Sequence, residues 1–450
     1  MNKRKEFKKL NLQAGDTAIL TTVLILSAVL SLGLILTGAV IKNLSLSFDF
    51  RDSIRALYAA DAAGEKCLFE IKTHSGECAN TGGVTTVSLS NGATAQAERI
   101  SNNILEILGT LNSANRKIRI VGSFGGIEDA IWVKRNIDTA SGNRYAFSMI
   151  YNSRYIVSGR HLASTENAVL WYSDSSDITT ASWTRRDIDI SASTQESAMD
   201  ILYDPTTARY YAVGYASTGG YDAVLWYSSS SDITAATWAK LPIDASAGTL
   251  QVASGIVHDP INHHYYVSGY DNSSGNYDAV VWVSQNENLF TTPWTKKYVD
   301  GSAGHQLGHK ISYDSSGSRY LVSGRQGVTP DYDAVLWYSS STDLTTATWS
   351  KGSVDISAGN QELYKTVFDS ATGRYYGVGY HRVSGEVPVL WYSSSGDLDT
   401  ATWTRLNIDV SEPGYAFYIM YDGLSARYVV SGSQFDGTNQ DAVLWYSSDS

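Results

Sequence analysis

Two arginines stand out because they break a pattern. Arg154, Arg209, Arg319, Arg374 and Arg427 recur just before a strand-like run, where a turn residue would sit. Arg160 and Arg325 instead end such runs. A guanidinium there could grip a carboxylate in a two-pronged fork. Gln195, Gln251, Gln306 and Gln361 recur at the start of successive units, with Glu196 and Glu362 beside two of them. A ring of such amides could hydrogen-bond sugar hydroxyls while tyrosines stack on the sugar faces; the other reading is a water-filled polar channel. Glu196 and Asp200 are acids of the type that glycoside hydrolysis uses in pairs, against a default of solvated loop charge. His305 and His309, in HQLGH, have a spacing that serves zinc on a helix. Here it falls on a loop leading into a strand, where the two rings need not converge, so no metal and no cofactor is expected.

The elements that must position these residues are repeats. The chain has 450 residues, too long for one ordinary core. Its 30 tyrosines and 12 tryptophans, against 7 prolines, favour strands. The tryptophans pair at intervals of twelve residues, as in Trp171 and Trp183 or Trp226 and Trp238. The first of each pair recurs at 171, 226, 282, 337, 391 and 445, a period of 54 to 56 residues. In the fifth unit four strands read YKTVFD (364–369), RYYGVGY (374–380), VPVLWYS (387–393) and TWTRLNID (402–409). Four antiparallel strands repeated at this period predict a mainly β fold, a six-bladed β-propeller.

The sixth unit runs out at Ser450 without a fourth strand. AIWVKRNID (130–138) precedes the first unit and matches TWTRLNID at Trp132, Asn136, Ile137 and Asp138. Two readings stand: it closes the ring from the N-terminal side, or it ends a preceding sheet. The hairpins between third and fourth strands repeat as SSSDITAATW and SSTDLTTATW, with Asp177, Asp232, Asp343 and Asp397 at the same step and Asn288 in the third unit. This resembles the Asp-box of sialidase and BNR-repeat propellers, though the box here is longer and lacks the family's glycine. The resemblance implies that these aspartates are structural. It also implies what a sialidase would need: an arginine cluster, a tyrosine nucleophile backed by glutamate, and an acid aspartate. The family's arginine motif is absent, so no enzyme is expected.

The N-terminal part differs. Residues 18–41, AILTTVLILSAVLSLGLILTGAVI, carry no charge. As a helix they would span about 36 Å, enough for a ~30 Å hydrocarbon core. Basic residues precede them, which predicts a cytoplasmic N-terminus and an exported body. A cleaved secretory signal is the alternative. The order of basic leader ending in Gly15, apolar helix, then ALYAADAAGEKCLFEI resembles type IV pilin-like proteins, in particular minor pilins of the PilX kind. The resemblance implies cleavage after Gly15 and packing in a membrane or pilus. Asp16 and Leu20 depart from the family's usual aromatic or methionine and its glutamate. Cys67 and Cys78 would oxidise to a disulfide outside the cytoplasm; two unpaired thiols are the other reading.

Together these predict a basic leader (1–15), a transmembrane and pilin-like helix (16–75), a small β unit (76–128) and a propeller (129–450). The expected function is a membrane-anchored or pilus-associated cell-surface protein displaying the propeller for adhesion or for glycan or protein binding. The alternative is an extracellular sialidase-type glycoside hydrolase. The expected partners are the membrane through 18–41, other pilins, and a glycan or protein ligand. The net charge of −11, with the basic excess confined to residues 1–9, excludes nucleic acid.

Overall fold

A computed structural model describes residues 50–71, 76–79, 82–121 and 127–447, apart from short gaps, together with seven scattered positions before residue 49. The gaps are 102–103, 113, 128–129, 190–194, 218–219, 246–248, 285, 291–292, 329–330 and 384. The chain divides into two compact units, Met1–Gly125 and Gly126–Ser450.

In the first unit residues 50–71 are helical. Ala56, Ala59, Ala60, Ala63 and Cys67 form a small-residue face that is fully buried against Ala95, Ala97, Leu105 and Ile107. The strands Val84–Ser88, Thr94–Ser101, Ile104–Leu111 and Ala114–Val121 form one antiparallel sheet in chain order. Helix and sheet approach so closely that a Cβ on Gly109 would stand 2.0 Å from the Ala56 carbonyl oxygen. Cys67 and Cys78 form a disulfide at the helix end. Glu70 receives the Cys78 backbone N–H and the Thr85 hydroxyl, both at 3.1 Å.

Among the described residues no helix is long and apolar enough to cross a membrane. The helical residues 50–71 carry Arg51, Asp52, Arg55, Asp61, Glu65, Lys66 and Glu70, and their apolar face is used against protein. The membrane anchor, the single-pass cell-membrane topology with an extracellular body, and the pilin-like reading are corrected accordingly. Most of 18–41, and Gly15 with the whole leader, lie outside the described residues.

The second unit consists of six sheets of four antiparallel strands. Sheet one comprises Asn143–Tyr151, Tyr155–Leu162, Glu166–Ser173 and Trp183–Asp189. Sheet two comprises Glu196–Asp204, Arg209–Ser217, Tyr221–Ser228 and Trp238–Asp244. Sheet three comprises Gln251–Asp259, His264–Asp271, Asp278–Ser284 and Trp294–Asp300. Sheet four comprises His305–Asp314, Arg319–Val328, Asp331–Ser339 and Trp349–Asp355. Sheet five comprises Asn360–Asp369, Arg374–Arg382, Glu386–Ser393 and Trp403–Asn407. Sheet six comprises Gly414–Asp422, Arg427–Phe435 and Gln440–Ser447, and its fourth strand is Trp132–Asp138, which pairs Trp132 with Ser447 and Asp138 with Ala442.

The expected closed propeller ring is corrected to this arrangement of discrete sheets. Ladder hydrogen bonding stays within each group of four, and no sheet curls closed on itself. Consecutive sheets meet through clusters of buried apolar side chains drawn from both. Trp171, Trp226, Trp282, Trp337, Trp391 and Trp445 are each 1% exposed. Each indole N–H donates to the aspartate that ends, or closely follows, the fourth strand of the preceding sheet. The acceptors are Asp138, Asp189, Asp244, Asp300, Asp355 and Asp409, at 2.9 to 3.2 Å.

Asp189 accepts from Trp226 at 2.9 Å and from Lys240 at 2.7 Å. Asp189→Ala leaves the buried indole donor without its partner and should cost roughly 1–3 kcal/mol. Asp189→Asn keeps an acceptor and should cost less. Urea midpoints of the three proteins check this; equal midpoints would show that the indole bond adds nothing to stability.

Candidate functional site

All six first strands are irregular at the same step. The register shifts between Ala146 and Ser148, Ala198 and Asp200, Ala253 and Gly255, Gly308 and Ile311, Leu363 and Lys365, and Ala416 and Tyr418. A bulge leaves a residue out of the ladder and re-aims its side chain. The residues so released include Phe147, His309, Tyr364 and Phe417. Their rings meet across four sheets: Phe147 with Phe417 at 4.9 Å, Phe417 with Tyr364 at 4.8 Å, and Tyr364 with His309 at 4.6 Å between centroids. Tyr145 stacks on Phe147 at 5.8 Å. The result is an aromatic patch built from separate sheets, held where each first strand begins.

Two charged clusters border it. Arg160 lies 4.2 Å from the Tyr145 ring centroid. Its Nη1 donates to Glu166 Oε1 at 2.9 Å and to the Tyr215 hydroxyl at 3.1 Å. Tyr215 in turn donates to Glu166 Oε1 at 2.5 Å, joining sheet two to sheet one. In the second cluster Glu362 accepts from Arg325 Nη1 at 2.8 Å, shares a hydrogen bond with His309 Nε2 at 2.5 Å, and binds Tyr380. Arg325 also lies 4.3 Å from the Tyr332 ring centroid.

The electrostatics follow from burial. Burial pushes the Glu362 carboxyl up, but the charges of Arg325 and His309 and its hydrogen bonds more than offset that and bring it down to about 2. Burial drives the Tyr215 hydroxyl well above its ordinary value, and the Glu166 charge adds to this against Arg160. Tyr364 is raised for the same first reason, with Glu362 second. Arg160 and Arg325 lose by burial and gain more from their neighbours, so both stay charged. The site therefore presents protonated phenols beside fixed guanidinium–carboxylate pairs.

The residues singled out from sequence fall into three groups. Arg160, Arg325 and Glu362 lie in the two clusters. Gln251, Gln306 and Gln361 are buried and face their own loops. Gln251 donates to Asp271 at 3.2 Å, Gln306 shares a hydrogen bond with the Ser302 hydroxyl at 3.3 Å, and Gln361 donates to the Ser357 carbonyl at 2.9 Å. Gln306 and Gln361 thereby fasten the loop between sheets. Gln195 is exposed and accepts from the Tyr221 hydroxyl at 2.9 Å, while Glu196 is fully buried. His305 packs on Tyr277 at 5.2 Å, whereas His309 turns to Glu362.

The repeated hairpin aspartates bind their own turns. Asp177 accepts from the Thr179 N–H at 2.9 Å, and Asp232 and Asp343 do the same with Thr234 and Thr345, also at 2.9 Å. Asp397 accepts from the Asp399 N–H at 3.1 Å. No group of three or more metal-ligating side chains with suitable geometry occurs among the described residues. Sequence reasoning missed Glu166, Tyr215 and Tyr380. Glu166 carried no distinction of type, since Glu386 opens the third strand of sheet five at the same place.

No family model matches the chain, and no curated relative matches it. The resemblances to pilin-like and BNR-repeat families are corrected on the fold. Among solved structures, similarity reaches the Trypanosoma rangeli sialidase in complex with sialic acid, with 11% identity and a TM-score of 0.48. That match covers 81% of this chain and 59% of the sialidase, so this chain spans well under two thirds of it. Chaetomium thermophilum Sqt1 is similar over 67% of this chain and 72% of its own, with 11% identity and a TM-score of 0.38. The α-L-arabinofuranosidase PaAbf62A from Podospora anserina is similar over 61% and 95%, with 12% identity and a TM-score of 0.38. Likenesses this distant carry no weight for function.

Glu362 yields a pH prediction. Its carboxyl is lower in the folded protein than its ordinary value of 4.5. The stability it contributes is fully present above pH 4.5 and is lost as pH falls toward about 2. Glu362→Gln strands Arg325 and should cost roughly 3 kcal/mol at neutral pH, while flattening the stability profile over that acid window. Denaturation midpoints from pH 2 to 7 check both; parallel profiles for the two proteins would show that Glu362 is not held ionised by its neighbours.

Proposed function

We propose that the Gly126–Ser450 unit is a glycoside hydrolase of sialidase type, acting on a sugar that bears a carboxylate. One observation carries this reading: the Tyr215 hydroxyl donates to Glu166 at 2.5 Å while Arg160 bonds to both. A phenol paired with a carboxylate can act as nucleophile and base. Glu166 would take the hydroxyl proton as Tyr215 Oη attacks the anomeric carbon, and the glycosidic C–O bond breaks with the departing oxygen taking a proton from solvent water. A water would then attack the anomeric carbon and give up its proton to solvent, the bond from that carbon to Tyr215 Oη would break, and Glu166 would return its proton to the phenol. Arg160 would turn from Glu166 toward the sugar carboxylate, which has the fork geometry a guanidinium prefers. The aromatic patch around Phe147, Phe417 and Tyr364 would stack on sugar faces. No cofactor is called for.

A second reading is favoured by a specific observation. Glu166 already occupies Arg160, and burial holds Tyr215 protonated. Those features suit a site that binds an acidic sugar without turning it over.

A fluorogenic sialoside assay, with sialoside binding measured alongside, separates the two. Hydrolysis is expected from the native chain, and Tyr215→Phe should lower it roughly 1000-fold or more with folding retained. Binding without hydrolysis would select the second reading. Neither binding nor hydrolysis would overturn both.

A further inference from the structure

The interior of the second unit contains a charge imbalance that the candidate site does not use. The first strands of sheets two to five lie side by side, each touching the next. At the bulge or just after it stand Ser148, Asp200, Gly255, Lys310, Lys365 and Tyr418. Two of these are ammonium groups, one is a carboxylate, and the rest are uncharged.

The lysines are inside. The side chains of Lys310 and Asp200 are 3% and 4% exposed, and Lys365 is 6% exposed. Lys310 Nζ lies 3.7 Å from Asp200 Oδ1 and donates to the Met199 carbonyl. Asp200 is shared further, since it accepts the Ile201 N–H at 3.0 Å and the Ile256 N–H at 2.9 Å. Lys365 Nζ donates to the Ile311 carbonyl at 2.8 Å and stands 5.0 Å from the Tyr418 ring centroid. An ammonium has three N–H donors, so neither head group is saturated by these bonds. The neighbouring strand adds a donor: Ser254, 1% exposed, has a hydroxyl without a partner. That strand is tight against Lys310, because a Cβ on Gly255 would come within 2.8 Å of the Lys310 Cα.

Burying two cations against one anion leaves an excess positive charge, which an interior tolerates only when a counter-charge is supplied. Glu362, three residues before Lys365, cannot supply it because Arg325 and His309 already hold it. We propose that Lys310 and Lys365 together hold a small inorganic anion of chloride size, with Asp200 limiting the affinity and Ser254 adding a hydroxyl donor. The ion locks the meeting point of sheets two to five. Burial brings both lysines down to about 8, which still leaves them charged at neutral pH and in need of the ion. The proposal is independent of the sialidase reading, since none of the four residues belongs to the Arg160 cluster.

The test uses the full chain in sodium chloride against sodium gluconate at equal ionic strength. Two readouts are followed: the melting temperature and the excess ³⁵Cl NMR line width. The native protein should show a saturable rise in both as chloride replaces gluconate. Lys365→Met should weaken chloride at least about 10-fold, and Asp200→Asn should tighten it several-fold by removing the competing charge. Should Lys365→Met fail to fold, Ser254→Ala serves in its place and should weaken chloride a few-fold. A native protein indifferent to chloride in both readouts overturns the proposal. So does a Lys365→Met or Ser254→Ala protein that binds chloride as the native one does, or an Asp200→Asn protein that binds it more weakly.

Discussion

The bond from a buried indole to an aspartate of the preceding sheet is the constraint on which the second unit depends. It occurs at every one of the six junctions, from Trp171 with Asp138 to Trp445 with Asp409. A tryptophan of that size needs space on the neighbouring strand, and glycine provides it. At Gly324 a Cβ would meet the Trp337 ring at 2.4 Å and the Leu307 carbonyl oxygen at 2.1 Å. The S-G and V-G steps in second strands thus exist because of the third-strand indole beside them. Tyrosines add a second set of junctions. Tyr265 donates to Asp204 at 2.5 Å and Tyr428 to Asp369 at 2.8 Å, again from one sheet to the one before it. These repeated polar bonds fix the spacing of the sheets, and apolar clusters such as Tyr211, Val213, Ile256, Val267 and Trp282 fill the space between them.

That division explains how much could be seen in the sequence. The strands of the fifth unit, expected at 364–369, 374–380, 387–393 and 402–409, fall on Asn360–Asp369, Arg374–Arg382, Glu386–Ser393 and Trp403–Asn407. Their alternation and aromatic content report local geometry, which sequence encodes directly. The way sheets associate is a tertiary property, and there the reading went astray. A closed ring is not what the hydrogen bonding forms, and among the described residues no helix is long and apolar enough to cross a membrane. The recurring glutamines do not share one kind of partner. Gln306 and Gln361 clasp the loop before their own strands, whereas Gln251 donates to Asp271 and Gln195 accepts from Tyr221.

The candidate site obeys the opposite rule. Arg160 and Arg325 were legible because they depart from the repeat. Tyr215 was not legible: tyrosine stands at equivalent places in Tyr270 and Tyr380, so its type carried no distinction. Its distinction is a partner, and the partner lies on another sheet. A residue whose role comes from a neighbour about fifty positions away leaves no trace in local pattern.

The interior charges complete this argument. The six positions at or just after the bulge hold five residue types, and only lysine appears twice, at Lys310 and Lys365. Were the centre of the unit a matter of packing alone, apolar residues would fill it at no electrostatic cost, as replacements of buried ion pairs elsewhere demonstrate. Charges retained there work against stability unless something compensates them. Repetition in this protein marks what holds sheets together, and the breaks in repetition mark where charge has been placed against that economy. The Arg160 and Arg325 clusters are such breaks within reach of the aromatic patch, and each brings its own carboxylate. The lysine pair is a break that brings only half of one, and the missing negative charge has to come from outside the chain.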